Sequence, residues 1–251
     1  MAEQDFSGRV AFVTGAAQGI GREIALGLMA GGARVHVGDI DADGLRPVRE
    51  AGAIGHALDV SDRVRCQELA RAIVQAEGHI DVLVNAAGGS LGRGKGPVEQ
   101  VSEADWHAIY HANALGAFLV CQAIVPYMKQ RRYGRIVNIA SNAGIRPALS
   151  GNLAYTSAKH ALVGFTRQLA VELGPFGITV NAVAPGLVMS GPWAHQLWHS
   201  KGPAAQQQIL ESIHMRRTGV ASDIARPSLF FAAEGSSWIT GQVLSVDGGR
   251  A

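Results

Sequence analysis

The chain has 251 residues, enough for one large domain, and its 47% hydrophobic and 17% charged residues exclude a disordered chain. Its 22 basic and 20 acidic residues give a net charge of +2, and no long basic face accompanies the one dense basic stretch, at 129–135, so no nucleic-acid partner is expected. Two cysteines, Cys66 and Cys121, are too few for a disulfide framework and predict reduced thiols in a cytoplasmic protein.

Short β-branched runs alternate with segments of helical period along almost the whole chain. The predicted strands lie at Val10–Val13, Val35–Val37, Ile54–Leu58, Val82–Val84, Ile136–Ile139, Thr179–Val183 and Val243–Val246. The predicted helices lie at Gly19–Ala30, Asp62–Glu77, Glu103–Lys129 and Tyr155–Leu173. Ser61 and Ser102 are expected to cap helix starts, and Gly78 and Gly174 are expected to end helices in the left-handed conformation. The alternation predicts the α/β class: a single doubly wound Rossmann-type domain spanning 1–251, with a parallel sheet of about seven strands and helices on both faces.

Three stretches depart from this alternation. The longest apolar stretch, 114–128, is short and interrupted by Gly116 and Pro126, which predicts a buried helix and no membrane partner. Glycine-rich breaks occur at 88–97 and at about 189–213. Because ligands bind at the carboxyl ends of strands in such sheets, both breaks are expected to border the site, the second as a lid insertion.

A glycine-rich turn, TGAAQGIG at 14–21, links the first predicted strand directly to a helix. Glycines allow a sharp turn and a close approach to a pyrophosphate, and the helix N-terminus offers free N–H groups to that anion. The residues predicted to contact a dinucleotide here are Gly15, Gln18, Gly19, Ile20 and Gly21. Taken alone, the motif is also compatible with a plain tight turn.

The second predicted strand leads into Asp39 and Ile40. A carboxylate at this position would accept hydrogen bonds from the adenosine ribose and repel a 2′-phosphate. Gln18 offers no positive charge for that phosphate either. Both features favour NAD over NADP, although Asp39 could instead cap the following turn together with Asp41 and Asp43.

Tyr155 and Lys159 are four residues apart at the start of a predicted helix, so the phenol and the ammonium share one face. A free tyrosine titrates near pH ~10, and a nearby ammonium is expected to lower that pKa. Ser141 follows the fifth predicted strand, where its hydroxyl would reach a substrate oxygen. A lone Tyr-x-x-x-Lys pair is usually surface decoration, so the interpretation depends on the combination of motifs.

Together these motifs resemble the short-chain dehydrogenase/reductase family over residues 6–249. The resemblance implies that Asn113 joins Ser141, Tyr155 and Lys159 in a catalytic tetrad, holding a proton-relay water. It also implies that further residues contact the cofactor: Asp59, Val60, Asn85, Ala86, Ala87, Gly88, Tyr155, Lys159, Pro185, Gly186, Val188 and Ser190. The sequence departs from the family pattern at Ala86, where a second Asn is common, and in the fourteen-residue interval between Ser141 and Tyr155, where thirteen is frequent.

The implied activity is hydride transfer between NAD(H) and a secondary alcohol or ketone, with Tyr155 as the acid/base, Ser141 orienting the substrate oxygen and Lys159 binding the nicotinamide ribose. The expected substrate is apolar, alicyclic or aromatic, in a pocket lined by Ser141, Ala143, Leu149, Tyr155, Gly186, Trp193 and Trp198. The tryptophans could equally pack against the sheet edge or a neighbouring subunit. No metal is expected, because His195 and His199 lack a third ligand nearby in the sequence.

The resemblance further implies a homotetramer or homodimer. Two alternative functions stay open: an NADPH-dependent ketoreductase of biosynthesis, acting on 3-oxoacyl or sugar-type substrates, and a non-catalytic dinucleotide-binding protein. Asp39 and Gln18 speak against the first, and the presence of Tyr155, Lys159 and Ser141 speaks against the second.

Overall fold

A computed structural model describes residues 4–148 and 151–249. Seven parallel strands form one sheet in the spatial order β3–β2–β1–β4–β5–β6–β9. Their bounds are β1 Val10–Thr14, β2 Arg34–Asp39, β3 Ile54–Ala57, β4 Val82–Asn85, β5 Gly134–Ile139, β6 Ile178–Pro185 and β9 Val243–Val246. Two short strands, β7 Val188–Met189 and β8 Gly219–Val220, pair in parallel outside this sheet. The order reverses between β1 and β4, as in a doubly wound fold, so the predicted fold class is confirmed.

Helices cover both faces of the sheet. They are α1 Gly19–Ala30, α2 Arg46–Glu50, α3 Arg63–Glu77, α4 Glu103–Tyr110, α5 Gly116–Arg131, α6 Leu153–Leu173, α7 Pro192–His199, α8 Pro203–Glu211 and α9 Ala221–Ala232. One apolar core lies between the sheet and α1, α2 and α9, and a second lies between the sheet and α3, α5 and α6. Every residue of β1, β5 and β6 is buried, which explains why most of their residues are apolar.

Two predicted helix ends are wrong. Ser61 does not cap α3, because its N–H and hydroxyl both bond Asp59 Oδ1, and Asp62 caps the helix instead by accepting from Arg65 N at 3.0 Å. Gly174 has φ −51° and continues into a short 3₁₀ turn, after which Gly177 takes the left-handed conformation at φ +72°. By contrast, the Ser102 cap and left-handed Gly78 are confirmed.

The helix predicted over Glu103–Lys129 is interrupted by a π-helical turn at His111–Leu115, which separates α4 from α5. By length and apolarity the stretch Glu103–Arg131 could cross a membrane, but 56% of its most apolar window is buried inside the protein. Residues of α5 such as Leu119 and Ile124 are nearly inaccessible and belong to the second core. Packing against the sheet therefore accounts for the apolarity of this stretch.

Candidate functional site

The first turn packs closely against two other segments at the carboxyl end of the sheet. A Cβ on Gly15, which has φ +69°, would lie 2.6 Å from the Ala87 backbone, and one on Gly19 would lie 2.1 Å from the Ser190 carbonyl oxygen. No bulkier residue fits either position without moving backbone. Gln18 precedes α1 in an extended conformation and makes no side-chain cap bond to it. The N-terminus of α1, with Ile20 and Gly21 in its first turn, is thus left for an anion.

The loop after β4 is held in place by side chains. Thr14 Oγ1 accepts from the N–H groups of Ala86 and Ala87, each at 3.2 Å. Asn85 Nδ2 donates to Asn138 Oδ1 at 2.8 Å, which joins the ends of β4 and β5. The loop that leads from β4 toward the site is therefore anchored to both neighbouring strands.

Asp39 joins the end of β2 to the first turn. Its Oδ2 accepts from Ala17 N at 2.9 Å, and its Oδ1 accepts from Asp41 N at 3.0 Å. The carboxylate thus caps its own turn and also faces the glycine-rich turn, so the two interpretations of Asp39 are compatible. Ile40 beside it is 76% exposed, an unusual setting for an isoleucine.

Asp59 and Val60 follow β3, which pairs with β2 so that Leu58 N donates to Asp39 O at 2.9 Å. Asp59 is exposed and engaged through Oδ1 with Ser61, while Val60 is buried. The Val60 side chain packs against α5, where a Cβ on Gly116 would meet it at 2.5 Å. Asp39, Ile40 and Asp59 therefore lie together at the carboxyl ends of β2 and β3, at one end of the crevice that such sheets form beside the first turn.

Tyr155, Ser141 and Lys159 come together at the other end of the crevice. The Ser141 hydroxyl is within hydrogen-bonding reach of the Tyr155 phenol. Lys159 Nζ lies 5.7 Å from the centre of the Tyr155 ring and donates to the Ile139 carbonyl at 2.8 Å. Asn152 starts α6 by accepting from Tyr155 N at 3.0 Å, so this helix begins two residues earlier than predicted. The i, i+4 arrangement on one face is as expected.

Burial governs the protonation of this group. It raises the pKa of Tyr155, and the Ser141 hydrogen bond opposes that rise. It also lowers the pKa of Lys159 to about 8, because the charged amine is removed from water. The expectation that the Lys159 ammonium lowers the Tyr155 pKa is therefore wrong for the protein alone. Desolvation outweighs the Ser141 hydrogen bond, and the Lys159 amine donates to the Ile139 carbonyl.

Asn113 lies in the π-helical turn and is 1% exposed. Its Nδ2 donates to the carbonyls of Ile109 and Gly89, at 2.7 and 2.8 Å, and its Oδ1 accepts from Gly89 N at 3.0 Å. A Cβ on Gly88 would lie 2.5 Å from Asn113 Oδ1. The amide therefore binds the loop after β4 to the helix bend and brings both beside the start of α6.

The segment after β6 leads from the crevice into the lid. Pro185 ends β6, Gly186 N donates to Val246 O at 3.0 Å, and Val188 is buried in the small second sheet. Ser190 covers the first turn through its contact with Gly19. The predicted lid insertion at about 189–213 consists mainly of α7 and α8, with Trp198 partly buried.

The pocket residues predicted from the sequence are only partly described. Ser141 and Ala143 share one turn, in which Ala143 N donates to Ser141 Oγ at 3.1 Å. Leu149 and the Trp193 side chain lie outside the described part of the chain.

Known proteins similar to this chain were found by sequence and by structure. The family described as Enoyl-(Acyl carrier protein) reductase matches residues 15–251. The (2S)-[(R)-hydroxy(phenyl)methyl]succinyl-CoA dehydrogenase subunit BbsD of Thauera aromatica is 41% identical, covering 97% of this chain and 96% of that protein. The 3-oxoacyl-[acyl-carrier-protein] reductase FabG of Thermotoga maritima is 38% identical, covering 96% and 97%. The crystal structure of levodione reductase superimposes with a TM-score of 0.89 at 29% identity, covering 97% of each chain.

This chain belongs to the short-chain dehydrogenase/reductase family. It is an oxidoreductase that acts on alcohols or ketones with a nicotinamide dinucleotide. The glycine turn that tolerates no Cβ, with an uncapped helix N-terminus behind it, fits the pyrophosphate of such a cofactor.

In this short-chain dehydrogenase/reductase, sequence reasoning missed the residues that support the site. Asp247 Oδ2 accepts from Asn142 Nδ2 and Arg146 Nη2, both at 2.6 Å, and so ties the C-terminal segment to the turn that carries Ser141. Thr14 and Asn152 play comparable roles at the first turn and at α6. Asn152, three residues before Tyr155, is of a residue type that is favoured at N-caps, so its capping role could have been predicted from the sequence. The partners of Asp247 are about a hundred residues away, and no local pattern indicates them.

Proposed function

We propose that this chain is an NAD(H)-dependent secondary-alcohol dehydrogenase/ketone reductase with Tyr155 as its acid/base. The observation that carries the proposal is the meeting of a buried phenol, a serine hydroxyl and a buried lysine amine at the carboxyl end of the sheet. Asn113 completes the group by fixing the helix bend and the loop after β4. Each side chain is held by a helix or by a turn bonded to its neighbours.

The crevice would hold the cofactor along its length. Gly15, Gly19 and the N-terminus of α1 would receive the pyrophosphate, and Asp39 would receive the adenosine ribose. The segment from Pro185 to Ser190 would border the nicotinamide. When bound, the dinucleotide supplies or accepts a hydride at the substrate carbon.

The residues of the chain handle the proton and the substrate oxygen. Ser141 donates to that oxygen and holds it within reach of the Tyr155 hydroxyl. In reduction Tyr155 gives its proton to the oxygen as negative charge develops there, and in oxidation it removes the proton from the alcohol. Lys159, whose pKa is about 8, is mostly protonated at neutral pH and would bind the nicotinamide ribose.

A preference for NAD over NADP rests on Asp39. Its carboxylate lies at the end of β2 and is fixed by Ala17 N and Asp41 N, so it cannot easily turn away from a 2′-phosphate. The carboxylate and a 2′-phosphate beside it would repel each other, because both are negatively charged. We expect kcat/KM with NADH to exceed that with NADPH by at least ten-fold. Equal use of both cofactors, or a preference for NADPH, would contradict this assignment.

The principal test is Tyr155→Phe, measured with NADH and a panel of aromatic, alicyclic and acyl-type ketones. The ring keeps its packing but loses the proton, so kcat should fall by at least about a thousand-fold while NADH still binds. Tyr133→Phe is the matched control, because Tyr133 OH bonds Glu234 on the opposite side of the molecule. Near-normal kcat in Tyr155→Phe would eliminate the proposed acid/base.

A second candidate is a biosynthetic ketoreductase that uses NADPH on 3-oxoacyl thioesters, favoured by the similarity to the protein named 3-oxoacyl-[acyl-carrier-protein] reductase. The comparison of NADH with NADPH separates the two. We also propose that the protein is a cytoplasmic homotetramer or homodimer. Analytical ultracentrifugation would determine the oligomeric state.

A further inference from the structure

Two buried asparagines hold the loop after β4 at two points. Asn113 Oδ1 accepts from Gly89 N and Asn113 Nδ2 donates to Gly89 O, which fixes the start of the loop to the π-helical turn. Asn152 Nδ2 donates to Arg93 O at 3.2 Å and fixes the loop farther along. Asn113 is a predicted site residue, whereas Asn152 is not, so the second attachment calls for its own explanation.

The contact between this loop and the start of α6 extends beyond one hydrogen bond. Lys95 and Asn152 form an antiparallel β-bridge, and Gly96 N donates to Gly151 O at 3.3 Å. Asn152 is only 3% exposed, so water competes little for its amide. The backbone of the loop is therefore paired with the backbone that leads into α6.

Asn152 uses the two polar atoms of its amide in different ways. Its Oδ1 accepts from Tyr155 N at 3.0 Å and so caps α6, whereas its Nδ2 donates to Arg93 O in the loop. The cap satisfies a backbone donor in the helical turn that carries the acid/base. The second bond fixes the loop relative to that turn. One side chain thus joins Tyr155 to the loop after β4.

The loop packs against the same apolar cluster as Tyr155. This cluster includes Ile109 of α4 and Ala154 of α6, and Tyr155 packs against it. Gly94 of the loop lies so close that an added Cβ would be 2.8 Å from Ile109 Cδ1 and 3.6 Å from Ala154 Cβ. The loop and the acid/base therefore share one packing surface.

We infer that Asn152 is a positioning residue, which holds the loop after β4 beside Tyr155 so that this loop forms one wall of the substrate site. The inference rests on the proposed function and adds a residue to its site. The loop follows the carboxyl end of β4, and ligands of such sheets bind at the carboxyl ends of the strands. Asn152 acts through Arg93 O and Tyr155 N rather than on the substrate itself.

The variants Asn152→Ser and Asn152→Ala separate the two bonds of this amide, measured with the best ketone of the panel used for Tyr155→Phe. Serine is also favoured at N-caps, so Asn152→Ser keeps the cap and loses only the bond to Arg93 O. KM for the ketone should rise about five-fold, as expected for one lost hydrogen bond, while kcat stays within about two-fold. Asn152→Ala loses the cap as well, so the turn that carries Tyr155 is less ordered and kcat should also fall about five-fold.

Hydrogen exchange followed by mass spectrometry reports on the loop without relying on activity. Asn152→Ser should speed exchange in peptides that cover 88–97 and leave the start of α6 unchanged, whereas Asn152→Ala should speed both. Asp62→Ala is the matched control, because Asp62 caps α3 by the same kind of bond, to Arg65 N at 3.0 Å. This control should leave KM, kcat and exchange in the loop at their wild-type values.

Two glycines of the loop provide an independent comparison. Gly92 and Gly94 have nearly the same left-handed φ, +68° and +66°, so alanine strains the backbone similarly at both positions. At Gly94 the new Cβ meets Ile109, whereas at Gly92 no atom of the described residues lies within 4 Å of it. Gly94→Ala should therefore raise KM for the ketone at least about three-fold more than Gly92→Ala. Equal KM values in the two variants would contradict the placement of the loop beside the substrate.

The outcomes separate the inference from the proposed function. If Asn152→Ser leaves KM and loop exchange at wild-type values, the inference is wrong and the proposed function stands. The same conclusion follows if both Asn152 variants lower kcat without raising KM. If the wild type reduces no ketone of the panel, the proposed function fails, and the exchange rates still decide whether Asn152 holds the loop.

Discussion

Gly15→Ala tests how closely the first turn must approach the loop after β4. The new Cβ would lie 2.6 Å from Ala87 Cα and N and 2.7 Å from Ala86 C, where ordinary contacts begin near 3.4 Å. All three atoms belong to backbone, so the overlap cannot be relieved by a side-chain rotation. Overpacking of this kind costs about 1–3 kcal/mol. The left-handed φ of +69° adds about 1–2 kcal/mol for alanine.

Gly78→Ala is the matched control, because Gly78 has φ +84° but nothing lies within 4 Å of its added Cβ. It should lose only the backbone term, about 1–2 kcal/mol. Urea unfolding followed by circular dichroism should therefore place Gly15→Ala about 1–3 kcal/mol below Gly78→Ala. Gly15→Ala should also lose NADH binding, measured by fluorescence titration, while Gly78→Ala retains it. Equal stability and equal NADH binding in the two variants would refute the close-approach argument.

Protonation, cofactor choice and the C-terminal carboxylate provide three more measurements. Burial lowers the pKa of His56 to about 4, so the folded protein favours the neutral imidazole. Because the unfolded chain binds this proton near pH ~6.5, the free energy of unfolding should fall by roughly 1–2 kcal/mol as the pH is lowered toward 5. Urea midpoints measured across this range should show the fall, His56→Asn should reduce it, and an unchanged slope would count against the assignment. Asp39→Ser should raise the ratio of NADPH to NADH kcat/KM at least ten-fold, and an unaltered ratio would show that the carboxylate does not select the cofactor. Asp247→Ala removes the acceptor shared by Asn142 and Arg146, so kcat should fall about ten-fold with little change in NADH binding. Full activity in this variant would show that the Asp247 hydrogen bonds do not support the turn that carries Ser141.

Much of the fold follows from local sequence signals. The bounds of α1 and β9 were predicted to the residue, because the glycine turn fixes the first helix and a mainly apolar run between the polar residues Gln242 and Asp247 fixes the last strand. The bounds of the two lid helices were not predicted, since 189–213 combines glycines, prolines and aromatic residues without a regular period. Each of these helices begins with proline after an extended glycine, a start signal visible only once the helix is known.

The site shows the same division between local and long-range information. Ser141, Tyr155 and Lys159 could be singled out because their spacing is informative along the chain. The raised pKa of Tyr155 could not, because it depends on burial produced by segments distant in sequence. The π-helical turn was missed for a similar reason: Asn113 Nδ2 bonds both Ile109 O within its own helix and Gly89 O from another loop. A periodicity argument treats such a stretch as continuous helix.

The π-helical turn makes this region unusually sensitive to chain length. It accommodates one residue more than an α-helical turn, and each residue of an α-helix corresponds to about 100° of rotation. Deleting Ala112 would allow Glu103–Arg131 to form one uninterrupted α-helix. If α5 kept its packing in the core, the Asn113 side chain would then point away from Gly89. The gene could thus lose this geometry through a single in-frame codon deletion that leaves every active-site side chain encoded.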